Sequence, residues 1–332
     1  MRELLLLLCH YPYDPKNREI LSKLIGEIQN WNEMVRLINS HGIIALAAYN
    51  IKEAGLEREI PTDAMAILEN GYMKSMIRNT WLTERWKEVN TILCNAGINH
   101  ILLKGMALEH TIYGSKGLRQ MNDNDILIKD DESLRAWKLL QEEGFSPEPL
   151  KSPLFRKIKF EFGQHLPALY KNGYVIEIHD KLFDNIVPDN KKFKDPFANV
   201  VEILIGDTKA SILPEDLQLI HLLNHFEHHA LAGDCQLRLY ADIILLDKTC
   251  TIDIPDSFIS DPIQSNKKEF RKLAYKARIK SIPRKYRLRF IIGDTFPSLT
   301  WMKERYMCSG LKASLLYPLR VGKVSWLLCG VR

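Results

Sequence analysis

The chain has 332 residues, 46% hydrophobic and 26% charged, with a formal net charge of +5. This is ordinary globular usage, which excludes a disordered or repeat protein and, at this length, predicts a sizeable core shared among two or three structural units. Six cysteines (Cys9, Cys94, Cys235, Cys250, Cys308 and Cys329) show no CxxC spacing and follow no signal peptide, so the reading is a cytoplasmic protein with reduced thiols.

At the N-terminus, Leu4 to Leu8 is strongly apolar. The run is too short to span a bilayer or to serve as a normal signal-peptide core, and Cys9-His10-Tyr11-Pro12 closes it, which predicts a buried helix. Residues 17 to 58 continue with helical spacing: Ile20, Leu21, Leu24, Ile25 and Ile28, then Met34, Val35 and Ile38, then a small-residue segment from Ile43 to Tyr49. Pro61 opens a further helix, with Thr62 and Asp63 in its first turn and patterning from Ala64 to Ala96. Residues 1–97 therefore read as a helical N-terminal subdomain.

The composition of the next segment changes. Asn99-His100-Ile101-Leu102-Leu103 is a short apolar strand, Lys104-Gly105 a turn, and Met106 to His110 the start of a helix. Backbone N–H groups at such a turn suit phosphate oxygens, with Lys104 as a nearby point charge. Eighteen residues after Gly105 comes Asp123-Asn124-Asp125-Ile126-Leu127. Side chains alternate along a strand, so Asp123 and Asp125 share one face while Asn124 and Ile126 share the other. Two crowded carboxylates repel unless a cation compensates, and oxygen-only donors suit Mg²⁺ or Mn²⁺. Asp-x-Asp alone is more often a solvated loop, so its surroundings decide.

Downstream, Lys171-Asn172-Gly173 reads as a hairpin turn between a strand around His165 to Tyr170 and a second strand, Tyr174 to His179. Parity puts Glu177 and His179 on one face of that strand. A third carboxylate on a neighbouring strand would complete the equipment for two cations roughly 3.5–4 Å apart, which stabilise both oxygens of an in-line displacement.

These residues carry a resemblance. Leu103-Lys104-Gly105, Tyr113, Gly117-Leu118-Arg119, Asp123-x-Asp125-Ile126-Leu127, Gly144-Phe145, His165-Leu166-Pro167 and Glu177-Ile178-His179 resemble the uncharacterised bacterial nucleotidyltransferase family within the DNA polymerase β superfamily. The likeness continues more loosely through Pro214-Glu215-Asp216-Leu217 and Arg238-Leu239-Tyr240-Ala241-Asp242, spanning about residues 75 to 250. Where the superfamily usually has Gly-Ser this chain has Gly105-Met106, and Asn124 stands where many relatives are apolar. The resemblance implies an α+β fold, a small mixed β-sheet core over residues 98–212, flanked by the helical residues 1–97 and a helical, basic segment, 213–332.

As chemistry, the reading is metal-dependent transfer of a nucleoside monophosphate from an NTP to a hydroxyl or phosphate acceptor, releasing pyrophosphate. Asp123, Asp125 and Glu177 are the expected catalytic residues and ligands of Mg²⁺ or Mn²⁺. Lys104, Gly105 and Arg119 are expected at the nucleotide, against the alternatives of a surface lysine at a turn for Lys104 and a structural salt bridge to the acidic strand for Arg119. His165 and His179 are expected to orient their neighbours, or else to be neutral hairpin histidines.

Pro214 opens a helix from Glu215 to Ala230 carrying His221, His225, His228 and His229. The spacing of His221, His225 and His229 permits zinc binding, but Leu217, Leu222, Leu223 and Phe226 favour an ordinary packed helix. Arg238 and Asp242, four residues apart, fit a helical ion pair better than a substrate clamp. From Lys267 to Arg332 there are seventeen Lys and Arg against three acidic residues, a net of +14, leaving −9 for residues 1–266. This basic segment, interleaved with Tyr286, Trp301, Tyr306 and Trp326, suits RNA, an anionic membrane surface or an acidic protein, or is a solvated face. Two alternative functions follow: a catalytically weak nucleotide-binding relative, or a protein acting on RNA or an anionic surface through the basic segment.

Overall fold

The computed structural model describes residues 1–163, 165–183, 195–232, 236–250, 252, 254, 272, 275–276, 278–280 and 282–329. Cys235 and the basic positions Lys267, Lys268 and Arg271 lie outside the described residues. The backbone divides into two compact units, Met1–Ile126 with Lys194–Ser265, and Leu127–Phe193 with Asn266–Arg332.

The first unit begins with α1 (Arg2–Leu7), α2 (Arg18–Gly26), α3 (Trp31–Ser40) and α4 (Ile44–Glu53), followed by the 34-residue α5 (Thr62–Asn95). Pro61 stands immediately before α5, as the sequence predicts. Asn30 caps α3 by accepting the Glu33 N–H, which satisfies a donor the helix itself cannot. Leu4, Leu5 and Leu8 are buried and join Leu21, Ile25, Ile38 and Leu46 in one apolar cluster, so the N-terminal leucine run is the buried helix expected. Each such side chain contributes roughly 1.5–3 kcal/mol on leaving water. Along α5, Gly71 lets α4 approach, since a Cβ there would collide with Ile44.

The sheet of this unit follows α5. β1 (His100–Leu103) is buried throughout and runs parallel to β7 (Thr208–Ile212), with Leu102 opposite Ile212. β6 (Val201–Ile205) is antiparallel to β7, turning at Gly206 with φ 65°. With β2 (Asn124–Ile128) the order is β2-β1-β7-β6, a mixed sheet. A parallel strand buried on both faces reads as a continuous apolar run, which explains why Ile101 to Leu103 shows no alternation. Three helices, α6 (Lys104–Thr111), α9 (Glu215–Ala232) and α10 (Leu237–Leu246), complete the unit.

The second unit takes over at Leu127, within β2. It contains α7 (Asp130–Glu142), with Asp130, Asp131 and Glu132 in its first turn where the helix dipole favours them. The strands β3 (Ser146–Pro147), β4 (Leu169–Lys171) and β5 (Tyr174–His179) form an antiparallel meander. Its hairpin turns at Asn172 (φ 51°) and Gly173 (φ 80°), two successive left-handed residues as a type I′ turn requires. The strand expected around His165 to Tyr170 is a single bridge, His165 opposite His179, followed by the shorter β4.

Helices α8 (Arg156–Phe162), α11 (Arg284–Thr295), α12 (Leu299–Tyr306), α13 (Gly310–Leu315) and α14 (Tyr317–Leu328) finish this unit. Phe155, Ile158, Ile282 and Phe290 form its small core, with the Phe155 and Phe290 rings stacked at 5.2 Å. The buried Asp294 carboxylate lies between Lys151 and Arg320. The chain is thus α+β, with a mixed sheet and helices at both termini, as expected. No helix among the described residues is long and apolar enough to cross a membrane.

Candidate active site

β1 delivers the chain to Lys104, which adopts the left-handed conformation (φ 47°) and so switches strand to helix in one residue. The turn therefore falls on Lys104 rather than on Gly105. Gly105 is needed for close approach instead: a Cβ there would come within 2.8 Å of Arg119 Nη1 and 2.9 Å of Met121 Sδ. The Lys104 ammonium reaches Asp125, Nζ to Oδ1 at 2.7 Å, with both side chains about nine-tenths buried.

β2 obeys the expected parity. The Asn124 side chain is fully buried and donates to the Leu82 carbonyl of α5 at 3.3 Å, which accounts for a polar residue at an otherwise apolar position. Asp123 and Asp125 take the opposite face. Burial, and then the Asp125 charge, raise the Asp123 carboxyl above the usual range, while Lys104, Arg119 and Arg238 pull it down. Such a pair gains from added positive charge, and in this structure the Lys104 ammonium supplies part of it.

Behind the pair lies a buried polar assembly joining residues far apart in sequence. Arg119 grips Asp242, with Nη2 to Oδ2 at 2.7 Å and Nε 3.2 Å from both carboxylate oxygens. Tyr113 donates its hydroxyl to Asp242 Oδ1 at 2.8 Å. Glu109 on α6 accepts the Gly117 and Arg119 N–H groups, and Asn79 on α5 donates to the Arg119 carbonyl at 2.9 Å. Gly117 has φ 73° and packs against Met76, where a Cβ would not fit.

Two expectations change here. Arg119 spends its Nε and Nη2 on Asp242 and its Nη1 on the Gln120 carbonyl, so its guanidinium forms a buried salt bridge, but to Asp242 on α10 and not to the acidic strand. Asp242 pairs with Arg119 instead of with Arg238 one turn away, because Arg238 points its Nη1 to the Gln120 carbonyl at 2.8 Å. Burial and the adjacent Arg119 charge push Arg238 down to about 10. Among the described residues Arg238 has no carboxylate in an ion pair and its Nε has no acceptor.

The helix of histidines also differs from its zinc reading. Among the described residues, His221, His225 and His229 do not bring three ligand atoms together. His225 and His229 instead stack edge to face at 4.5 Å. His225 is held neutral: burial first, then the Lys104 charge, drive its basicity far down, against a smaller opposing pull from Asp125. The sequence offered only a helical His repeat as a sign that this residue lies near Lys104 and Asp125. Glu109 was missed altogether.

The second unit holds Glu177, His165 and His179. On β5, Ile176 and Ile178 are buried on one face, and Glu177, about a quarter exposed, lies on the other. The Glu177 carboxylate is 3.9 Å from Nε2 of both His165 and His179, whose rings lie 5.4 Å apart. His165 Nδ1 meets its neighbour's carbonyl, Leu166 O, at 2.8 Å. The structure therefore brings together Lys104, Gly105, Arg119, Asp123, Asp125, Arg238 and Asp242 in the first unit, and Glu177 with the two histidines in the second.

No curated protein and no solved structure matches the chain. A family model described as an uncharacterised nucleotidyltransferase matches residues 27–259, which is more than half the chain and takes in both carboxylate groups and the Arg119–Asp242 pair. The protein therefore belongs to this uncharacterised nucleotidyltransferase family.

Proposed function

We propose that the protein transfers a nucleoside monophosphate from an NTP to a hydroxyl or phosphate acceptor, with pyrophosphate leaving. The carrying observation is the paired Asp123 and Asp125 beside Lys104, with the Asp123 carboxyl raised by burial and by its neighbour. Family membership supports the reaction class.

The donor set fits Mg²⁺ or Mn²⁺, since the two Asp side chains offer only oxygen and their mutual repulsion is relieved by a cation. When bound, such a metal neutralises phosphate charge and orients the displacement. Asp123 and Asp125 are the proposed ligands. Glu177 is proposed as the third carboxylate, on the parity of β5 and the family resemblance, with His165 and His179 orienting it.

The protein's own cations do the remaining work. Lys104 meets the triphosphate once its ammonium is released from Asp125, and Arg238 adds the second contact with its unspent Nε. Arg119 acts from behind the loop: pinned by Asp242, it fixes Gly105 and lends positive potential to Asp123. Phosphoryl chemistry of this kind depends mainly on positioning and charge stabilisation. We place the reaction in the cytoplasm, where NTPs are supplied.

The test is nucleotide exchange between pyrophosphate and NTP, together with labelled-nucleotide transfer, in parent, Asp123→Asn and Glu177→Gln proteins. Loss of both activities in the variants supports the proposal. NTP binding with no turnover under any metal would instead favour the nucleotide-binding relative that has lost catalysis.

A further inference from the structure

The basic C-terminal helices carry an outward apolar row that their own packing leaves uncovered. On α13 and α14, Leu311, Leu315 and Leu319 are 86%, 78% and 62% exposed and recur every fourth residue. Leu316, the single residue between the two helices, is itself in the right-handed helical region, so the chain path runs from α13 into α14 with a one-residue break and the three leucines keep their four-residue spacing across it. The opposite side of the same path, through Ala313, Arg320, Val324 and Leu327, is buried. A second row, Leu288 and Ile292 on α11 and Phe296 at its cap, is exposed in the same four-residue rhythm.

Cations flank both rows. From Arg284 to Leu328 there are nine Lys and Arg and two acidic residues, Asp294 and Glu304. Asp294 is buried and paired with Lys151 and Arg320. Arg284, Lys285, Arg289, Lys303 and Lys312 have no ion-pair partner among the described residues, and all five are exposed.

We infer that these helices lie on an anionic phospholipid surface, with Leu311, Leu315 and Leu319 entering the acyl boundary and the cations meeting lipid phosphates. Exposed leucines beside lysine and arginine are what an interfacial helix presents. A single-stranded RNA would call for exposed aromatic stacking platforms. Most of the aromatics here are engaged in packing instead: Trp301 sits beneath Lys151 and Arg320 at 4.9 and 5.2 Å, and Tyr286 packs on the Phe155–Phe290 core. Phe296, the one exposed ring among the described residues of these helices, lies 6.2 Å from Tyr317, and one ring is too few for a stacking platform. Aliphatic side chains have no counterpart on a phosphate backbone, but they do in a bilayer. The inference is independent of nucleotidyl transfer.

The experiment is co-sedimentation of the full chain with vesicles of phosphatidylcholine alone or mixed with phosphatidylglycerol. Binding to the anionic vesicles alone, weakened by salt, is expected. Substituting Leu311, Leu315 and Leu319 together by Ser lowers partitioning on the order of a hundredfold, from roughly fivefold per leucine. Because these side chains are exposed, the thermal unfolding midpoint stays that of the parent, so a folding defect is distinguished. Arg284→Gln, Lys285→Gln and Arg289→Gln together weaken anionic binding by a similar factor, about fivefold per cation. Equal binding by parent and leucine variant overturns the inference, as does absence of binding to either vesicle. Retention of RNA but not vesicles, or a concentration-dependent dimer abolished by the leucine substitutions without vesicle binding, overturns it too.

Discussion

Replacing Asp242 by Asn tests the assembly behind the carboxylate pair. Asp242 is fully buried and Arg119 nearly so, and the carboxylate accepts from Arg119 Nε, Arg119 Nη2 and the Tyr113 hydroxyl. Asn keeps the shape but removes the charge and one acceptor, leaving the guanidinium buried without a counter-ion. Breaking a buried pair from one side costs about 3–5 kcal/mol, far more than the pair contributes relative to an apolar replacement. In a unit of about 200 residues this lowers the melting temperature by roughly 6–20 °C. The assay is thermal unfolding followed by circular dichroism. Replacing Arg119 by Met, Asp242 by Leu and Tyr113 by Phe together recovers most of the loss, since no charge or hydroxyl is then stranded. A melting temperature for Asp242→Asn within about 2 °C of the parent would refute the reasoning.

Other outcomes follow from the same geometry. Asp125→Asn lowers turnover at least roughly a hundredfold while circular dichroism stays that of the parent, measured by pyrophosphate release. Arg238→Gln weakens NTP binding in titration calorimetry with little change in melting temperature, whereas Ile178→Asp, at a position 1% exposed, destabilises by about 3 kcal/mol or more in urea unfolding. His225 is lowered in the fold from its ordinary 6.5, so the unfolded chain binds that proton more readily. Its contribution is therefore complete above pH 6.5 and is lost as the pH falls below it, and His225→Phe reduces the acid-side slope of stability by about 1.4 kcal/mol per pH unit.

Local rules carried much of this fold into view. Pro61 marked the start of α5, Asn172-Gly173 marked a type I′ hairpin, and alternation alone put Asp123 with Asp125 and set Glu177 against Ile176 and Ile178. The positive φ fell on Lys104 because Gly105 was needed for a different purpose, to admit Arg119 and Met121, and that need arises from residues more than a dozen positions away. Arg119 and Asp242 are separated by 123 residues, so no periodicity links them. The nearer partner, Arg238, looked like the natural choice on helical spacing. Glu109 was hidden for a similar reason, since an acidic residue late in a short helix gives no sign that it will cap a distant loop. The β6–β7 hairpin had a legible turn at Gly206-Asp207, but its short strands lacked a strong apolar alternation.

The most direct test of nucleotidyl transfer is incubation of the protein with each α-labelled NTP, Mg²⁺ or Mn²⁺ and a cell lysate, following both labelled product and pyrophosphate. Label transfer and pyrophosphate release from at least one NTP are expected, both lost on chelation and in the Asp125→Asn variant. Transfer that proceeds equally with a chelator present or with Asp125→Asn would contradict it.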